Sequence, residues 1–164
     1  MTVNKTSKSS RRDLMPWRQA LGRLGEDLAA GHLGTLGYSI LDRNWRNGRF
    51  CELDLIARDP EFVLAFVEVK TRCSPCGALA DSCQSAIEAV GFAKRRRIRA
   101  AAFAWLSNYR VDYRAESDLA IKSLRFDLVV VTIERSNLVA GSGGSLLMAD
   151  GSRASILHVP GAFF

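Results

Sequence analysis

The sequence predicts an α/β protein, a mixed sheet with one helix before it and a second helix between its third and fourth strands. Three observations lead there. Two β-type runs, residues 51–58 and 62–71, flank a turn signal at Asp59-Pro60-Glu61. Leucines at helical spacing precede them, and a second helical stretch covers residues 84–107. A further run, residues 125–133, is apolar and β-branched in the manner of a strand buried on both faces.

Length and charge bound the rest. A chain of 164 residues suits one domain with a real core, expected over 18–164. Residues 1–17 read as a basic, disordered tail. Lys5, Lys8, Arg11, Arg12 and Arg18 lie at this end against Asp13, so most of the net charge of +6 sits there. No stretch approaches the ~20 apolar residues of a membrane span. No apolar segment follows the basic start as in a secretory signal, so a cytoplasmic location without membrane attachment is expected.

The first helix is expected from about Trp17. Leu21, Leu24, Leu28 and Leu36 form its apolar stripe with His32 on the same side, and Gly34 and Gly37 mark its end. His32 reads as a packed histidine. Glu26, at the border of the stripe, is either an exposed helical residue or a carboxylate reaching over the sheet. Residues 38–46 form the first strand. Asn47-Gly48 is a two-residue turn signal that folds this strand onto residues 51–58.

Asp54, Glu68 and Lys70 interrupt the second and third strands. Glu68 and Lys70 share a face because side chains alternate along a strand. With a three- or five-residue loop, opposed positions sum to 122 or 120, and Asp54 joins that face; with a two- or four-residue loop it does not. Two readings fit these charges. One is a solvated edge with an ordinary Glu–Lys pair. The other is a site for hydrated Mg²⁺, which takes one or two carboxylates plus waters and substrate phosphates.

Beyond the third strand, Cys73 and Cys76 have the spacing of a zinc half-site, with Cys83 and Cys51 as further thiols. Ordinary reduced thiols are the simpler reading. In the second helix Ile87, Val90, Ile98, Ala101 and Trp105 line one face. Lys94 falls within that face, so either Gly91 breaks the helix or Lys94 points at the charged cluster. Lys94, Arg95, Arg96, Arg97 and Arg99 form a concentrated basic stretch, expected to bind nucleic-acid phosphates. Asp127 either stabilises this helix or lies at a strand end. Residues 136–152 are a connection with room for a hairpin arm. Residues 156–159 suit a last strand, and the apolar C-terminus is expected to dock on the body.

Taken together, several segments resemble the YraN-type family of bacterial proteins. They are Gly22-x-x-Gly25-Glu26, Gly37-Tyr38-x-Ile40-Leu41-x-Arg43-Asn44, Glu52-Leu53-Asp54-Leu55-Ile56-Ala57, Phe66-Val67-Glu68-Val69-Lys70-Thr71-Arg72, Lys94-x-x-Arg97-Ile98, Arg125-Phe126-Asp127 and His158-Val159-x-x-Ala162-Phe163. The resemblance implies a restriction-endonuclease-like core akin to Holliday-junction resolvases. It implies Asp54 and Glu68 as metal carboxylates, Lys70 as the catalytic lysine and Glu26 as an auxiliary acid, with Mg²⁺ or Mn²⁺ as cofactor. The implied partner is nucleic acid, DNA first, and a homodimer is admitted. Cys51 stands where the family usually has glycine. Two other expectations are weighed beside a metal-dependent nuclease: a non-catalytic nucleic-acid-binding protein with the same fold, and a zinc-stabilised interaction module.

Overall fold

The computed structural model describes residues 11–48, 51–74, 87–88, 90–112 and 121–163. Helix α1 spans Arg11–Thr35 and so starts before Trp17, running through Pro16. Leu21, Ala29 and Leu33 are its buried contacts, with Leu24 and Leu28 beside them. Leu36 is 47% exposed and does not continue the stripe. The chain has already left the helix there. Gly37 takes φ +83°, the N–H of Tyr38 donates to the Leu33 carbonyl at 3.0 Å, and that of Gly37 donates to the Gly34 carbonyl at 3.0 Å. This glycine-based ending satisfies the last carbonyls and needs a left-handed residue.

Strand β1 (Ser39–Asn47) pairs antiparallel with β2 (Cys51–Arg58). Asn47 pairs with Cys51, so it is the last strand residue rather than the first residue of a two-residue turn. Gly48 follows at φ +65°. Between Ile40 and Asp42 the register slips. A slip of this kind turns the following side chains to the other face. Ile40 packs on the α1 side and Leu41 on the opposite side, and past the slip Asp42 pairs with Ile56 and so falls on that opposite side too, where it meets Trp105.

Strand β3 (Val63–Ser74) folds back on β2 with Leu55 opposite Val67 and Ala57 opposite Ala65, positions that sum to 122 as a three-residue loop requires. Asp59 builds that loop: its Oδ1 accepts the N–H groups of Glu61 and Val63, both at 2.9 Å. Helix α2 (Phe92–Asp112) then crosses to β4 (Ser123–Glu134), which runs parallel to β3. The short strands β5 (Leu138–Ala140) and β6 (Leu146–Met148) form the hairpin arm, and β7 (Ser155–Val159) returns antiparallel to β4. The main sheet has the order β1-β2-β3-β4-β7. This is the mixed sheet, preceded by one helix and with another between its third and fourth strands, of the restriction-endonuclease-like architecture.

The sheet separates two cores, as the period-2 alternation of its strands dictates. Leu64, Phe66, Leu128 and Val130 face α2, where Ile98, Ala101 and Trp105 meet them. Ala65, Val67, Val129, Val131 and Ile133 face α1 and the β5–β6 hairpin. Phe163 is buried on the α2 side and stacks on Phe126, their ring centres 5.9 Å apart, which docks the C-terminal segment as expected. Trp105 donates its indole N–H to Asp42 Oδ2 at 3.0 Å, tying α2 to β1.

Asp127 plays neither role expected of it. It is fully buried inside β4. Its carboxylate accepts from Arg125 Nε at 2.8 Å and the Gly161 N–H at 3.0 Å, and bonds His158 Nε2 at 3.1 Å. Arg125 continues the network to Asp59 Oδ2 and the Tyr38 hydroxyl. Burial pushes the Asp127 carboxyl up, but the bonds from His158, Arg125 and Gly161 outweigh it and hold the group below the usual carboxylate range. The network ties the last strand, the C-terminal segment and the β2–β3 turn to one charge.

Candidate active site

The site begins where two strands part. The β2–β3 ladder ends at Leu55 and Val67, although β2 stays paired with β1 as far as Cys51. Asp54 is the first residue of β2 past this fork. Its Oδ2 accepts the backbone N–H of Val69 at 2.8 Å. Glu68 and Lys70 lie on the other prong. Continued one step past the fork, the register that pairs Leu55 with Val67 sets Asp54 opposite Glu68, and the two lie close enough for the Glu68 charge to act on Asp54.

Glu68 is only 3% exposed and holds two ammonium groups. Lys70 Nζ lies 2.8 Å from Oε1, and Lys94 Nζ reaches Oε2 from α2 at 3.1 Å. A carboxylate buried this deeply is tolerable because both oxygens are charge-paired. Asp54 is less well compensated. Burial, then the neighbouring Glu68 charge, raises its carboxyl to about 7, against the opposing bond from Val69 and the charge of Lys94. Burial would lower the Lys94 pKa, but Glu68 and Asp54 more than offset it, so the ammonium stays charged above its ordinary range.

Helix α1 closes the other side. A Cβ on Gly25 would lie 1.8 Å from Thr71 Oγ1. Only glycine lets the helix backbone come this close to β3, and the next residue is Glu26. Burial raises the Glu26 carboxyl, an Asn44 side-chain hydrogen bond lowers it, and Glu52 raises it further. Glu26 also contributes to the field at Asp54. It stands between two clefts. One, of about 710 Å³, is lined by Trp17, Leu21, Lys70, Thr71 and Arg135. The other, of about 1080 Å³, is lined by Arg23, Arg43, Asn44, Arg46 and Glu52. Arg43 is bonded to Asp27 and Arg46 to Glu52, so two walls of that cleft are braced by ion pairs.

The basic stretch divides. Lys94 turns to Glu68. Arg95 turns back on the break before the helix, donating to the carbonyls of Val90 at 2.6 Å and Ile87 at 2.7 Å and lying over the Phe163 ring. Both expectations for Lys94 therefore hold: the helix is interrupted around Gly91, and the lysine faces the cluster. Arg96 and Arg97 are exposed and Arg99 is half-buried. Cys73 is a free thiol. Cys76, Cys83 and the side chain of Cys51 lie outside the described residues, as does the tail over 1–10. His32 packs edge-on to His158, with ring centres 6.3 Å apart.

The donors at the fork fit a hard divalent cation held by few protein ligands. Mg²⁺ takes one or two carboxylates and fills its remaining positions with water and phosphate. No group of three or more His, Cys, Asp or Glu set to hold a metal occurs among the described residues, so an all-protein cage of the structural-zinc kind is not built from them.

Asn44 was not singled out by the sequence, yet it bonds Glu26. It sits at φ +53°, a conformation that asparagine adopts more readily than most residues. The adjacent Arg43-Asn44 pair was the available signal. Arg125, Tyr38, Asp59 and His158 could not be joined from their spacing, because their contacts span up to 87 positions.

Comparison with known proteins agrees with this organisation. Residues 25–131 match the family described as "Uncharacterised protein family UPF0102". A UPF0102 protein of Nocardia farcinica is 41% identical over 146 residues, which cover 89% of this chain and 91% of that protein. One from Acidothermus cellulolyticus is 44% identical over 117 residues, covering 70% of this chain and 82% of that protein. One from Trichlorobacter lovleyi is 37% identical over 145 residues, covering 88% and 91%. With the match spanning most of the chain, from the Gly25–Thr71 contact through the fork to the body of β4, the chain belongs to the UPF0102 family.

Proposed function

We propose that the protein is a Mg²⁺- or Mn²⁺-dependent nuclease that hydrolyses DNA phosphodiester bonds, with branched or single-stranded DNA as the substrates of first interest. The observation carrying this reading is the pair of carboxylates at the fork, half-buried Asp54 and buried Glu68, with Lys70 beside them. Such a pair is an unfavourable arrangement in a bare core and a useful one beside a cation and a phosphate.

Asp54 and Glu68 would hold the divalent ion, which supplies a Lewis acid for a phosphoryl oxygen. Lys70, fixed on a strand two residues from Glu68, would orient the attacking water or stabilise the charge growing on the phosphate. Glu26 would act as an auxiliary acid from α1. Arg96, Arg97 and Arg99 would contact flanking phosphates, which position a nucleic acid without reading its sequence.

A second reading has its own support. Both Glu68 oxygens already carry ammonium groups, an arrangement that also suits a non-catalytic nucleic-acid-binding protein. Purified protein incubated with linear, flapped and four-way DNA, with Mg²⁺ or Mn²⁺, separates the two. Cleavage of at least one substrate, abolished by Glu68→Ala and by Lys70→Ala, is expected. Binding without cleavage on every substrate, unaltered by either substitution, would favour the second reading.

A further inference from the structure

Glu68 is paired with two cations of different standing. Lys70 comes from the same strand and face, two residues away, with Nζ 2.8 Å from Oε1. Lys94 arrives from another element, in the first turn of α2, with Nζ 3.1 Å from Oε2. The backbone that bears Lys94 is fixed: Arg95 bonds the Val90 and Ile87 carbonyls and clamps the chain where it enters α2. The Lys94 side chain is 34% exposed. Its four-carbon stem can therefore carry the ammonium away from Glu68 without moving the helix.

An ammonium and a divalent cation are alternatives for the same carboxylate oxygens. Asp54 and Glu68 bring at most two negative charges, which Lys70 and Lys94 already balance. Adding a divalent ion with both lysines in place outweighs these two carboxylates by two positive charges, an excess that Glu26 and Glu52 nearby offset in part, at a partly desolvated site where charge interactions are strong. A nucleic acid supplies the compensating anion, because a phosphate at the fork can accept the Lys94 ammonium.

We infer that Lys94 is a resident counter-ion of the Asp54–Glu68 pair, that it competes with divalent metal for Glu68, and that a nucleic-acid phosphate relieves this competition by drawing the Lys94 ammonium onto itself. Metal and nucleic acid then bind cooperatively through one side chain, and the coupling is reciprocal. The inference rests on the reading of Asp54 and Glu68 as metal carboxylates and adds the regulation of that site. Lys94 thereby serves Glu68 in the free protein and the phosphate in the complex, unlike Arg96, Arg97 and Arg99, whose proposed part is phosphate contact alone.

The test is a direct Mn²⁺ titration of the full chain by calorimetry, with free Mn²⁺ checked by electron paramagnetic resonance. Wild type, Lys94→Met, Lys94→Arg and the double variant Lys94→Met/Glu68→Gln are compared, each first shown to melt cooperatively. Lys94→Met is expected to bind Mn²⁺ at least about tenfold more tightly than wild type. Lys94→Arg, which keeps the charge, shows no such gain, and Glu68→Gln abolishes it. A short DNA oligonucleotide, with Mn²⁺ binding by the DNA alone subtracted, is expected to tighten Mn²⁺ binding to wild type by a larger factor than to Lys94→Met, because phosphate ligation of the metal is common to both and relief of the Lys94 competition is not. Equal or weaker Mn²⁺ binding by Lys94→Met overturns the inference, as does equal tightening of both proteins by DNA, or no Mn²⁺ binding by any of them. Cleavage by wild type without a gain in Lys94→Met would remove the counter-ion role and leave the nuclease. A gain in Lys94→Met without cleavage on any substrate would do the reverse.

Discussion

Asp54 works against the stability of the fold that holds it. Its carboxyl is raised to about 7 by burial and by the Glu68 charge, whereas in the unfolded chain it titrates near the ordinary value of ~3.9. Between these values the folded protein holds a proton that the unfolded chain has lost. The metal-free protein therefore loses stability as pH rises from about 4 to about 7, and the penalty persists above that. Asp54→Asn removes the titration. It is expected to melt above wild type at pH 8, by on the order of 1–3 kcal/mol, with the difference closing towards pH 4. Thermal melts of both proteins across that range in chelator check this; parallel curves would show that Asp54 is ionised at no special cost. Asp127 has the opposite sign. Its carboxyl is held below the usual range, so its contribution is complete above the unfolded value and is lost as pH falls through the folded one. Asp127→Asn removes the carboxylate that Arg125 and His158 share and leaves Arg125 with Asp59 as its remaining charge partner. It is expected to cost about 3 kcal/mol at pH 7, read as a lower urea midpoint, and a midpoint equal to wild type would deny the network its anchoring role.

At the scale of elements, the site depends on how closely α1 sits on β3. Gly25 permits that approach, and Glu26 follows from it. Gly25→Ala drives a methyl group into Thr71 and must displace the helix or the strand. A loss of about 1–3 kcal/mol is expected, with partial recovery when Thr71→Ala is added, because the two changes meet at one contact. Additive losses in that double-mutant cycle would place the clash elsewhere. The strands and the helices were legible in the sequence because their patterns are local: the apolar run of β3, the alternation at the start of β2, and the buried face of α2 from Ile98 to Trp105. Register was legible only as a set of alternatives, and Asp59, by capping the turn, selects the one that places Asp54 on the face of Glu68. The fork, the Gly25–Thr71 contact and the Asp127 network were not legible, since each joins residues distant in the chain. Leu36 misled because its spacing fits a helix that ends at Thr35.

Across the whole molecule, charge is distributed less simply than a count of lysines and arginines suggests. Five cations crowd into residues 94–99, but Lys94 serves the fork and Arg95 braces the entry to α2. Arg96 and Arg97 are left on the exposed surface. Replacing Arg96 and Arg97 together with alanine is expected to weaken DNA binding and to reduce the salt slope by about one to two, with little change in melting temperature. Arg95→Ala is expected to lower the melting temperature and to leave the slope near wild type. Slopes that respond to Arg95 but not to Arg96 and Arg97 would contradict this division. No described helix is long and apolar enough to cross a membrane.

The central claim is that Asp54, Glu68 and Lys70 act together on a phosphodiester. Single-turnover cleavage of whichever DNA wild type cuts, with saturating Mn²⁺, measures it most directly in Asp54→Asn, Glu68→Gln and Lys70→Met proteins that bind the same DNA. Each substitution is expected to slow the cutting step by at least about a hundredfold. Cleavage at the wild-type rate by any one of the three would contradict the account.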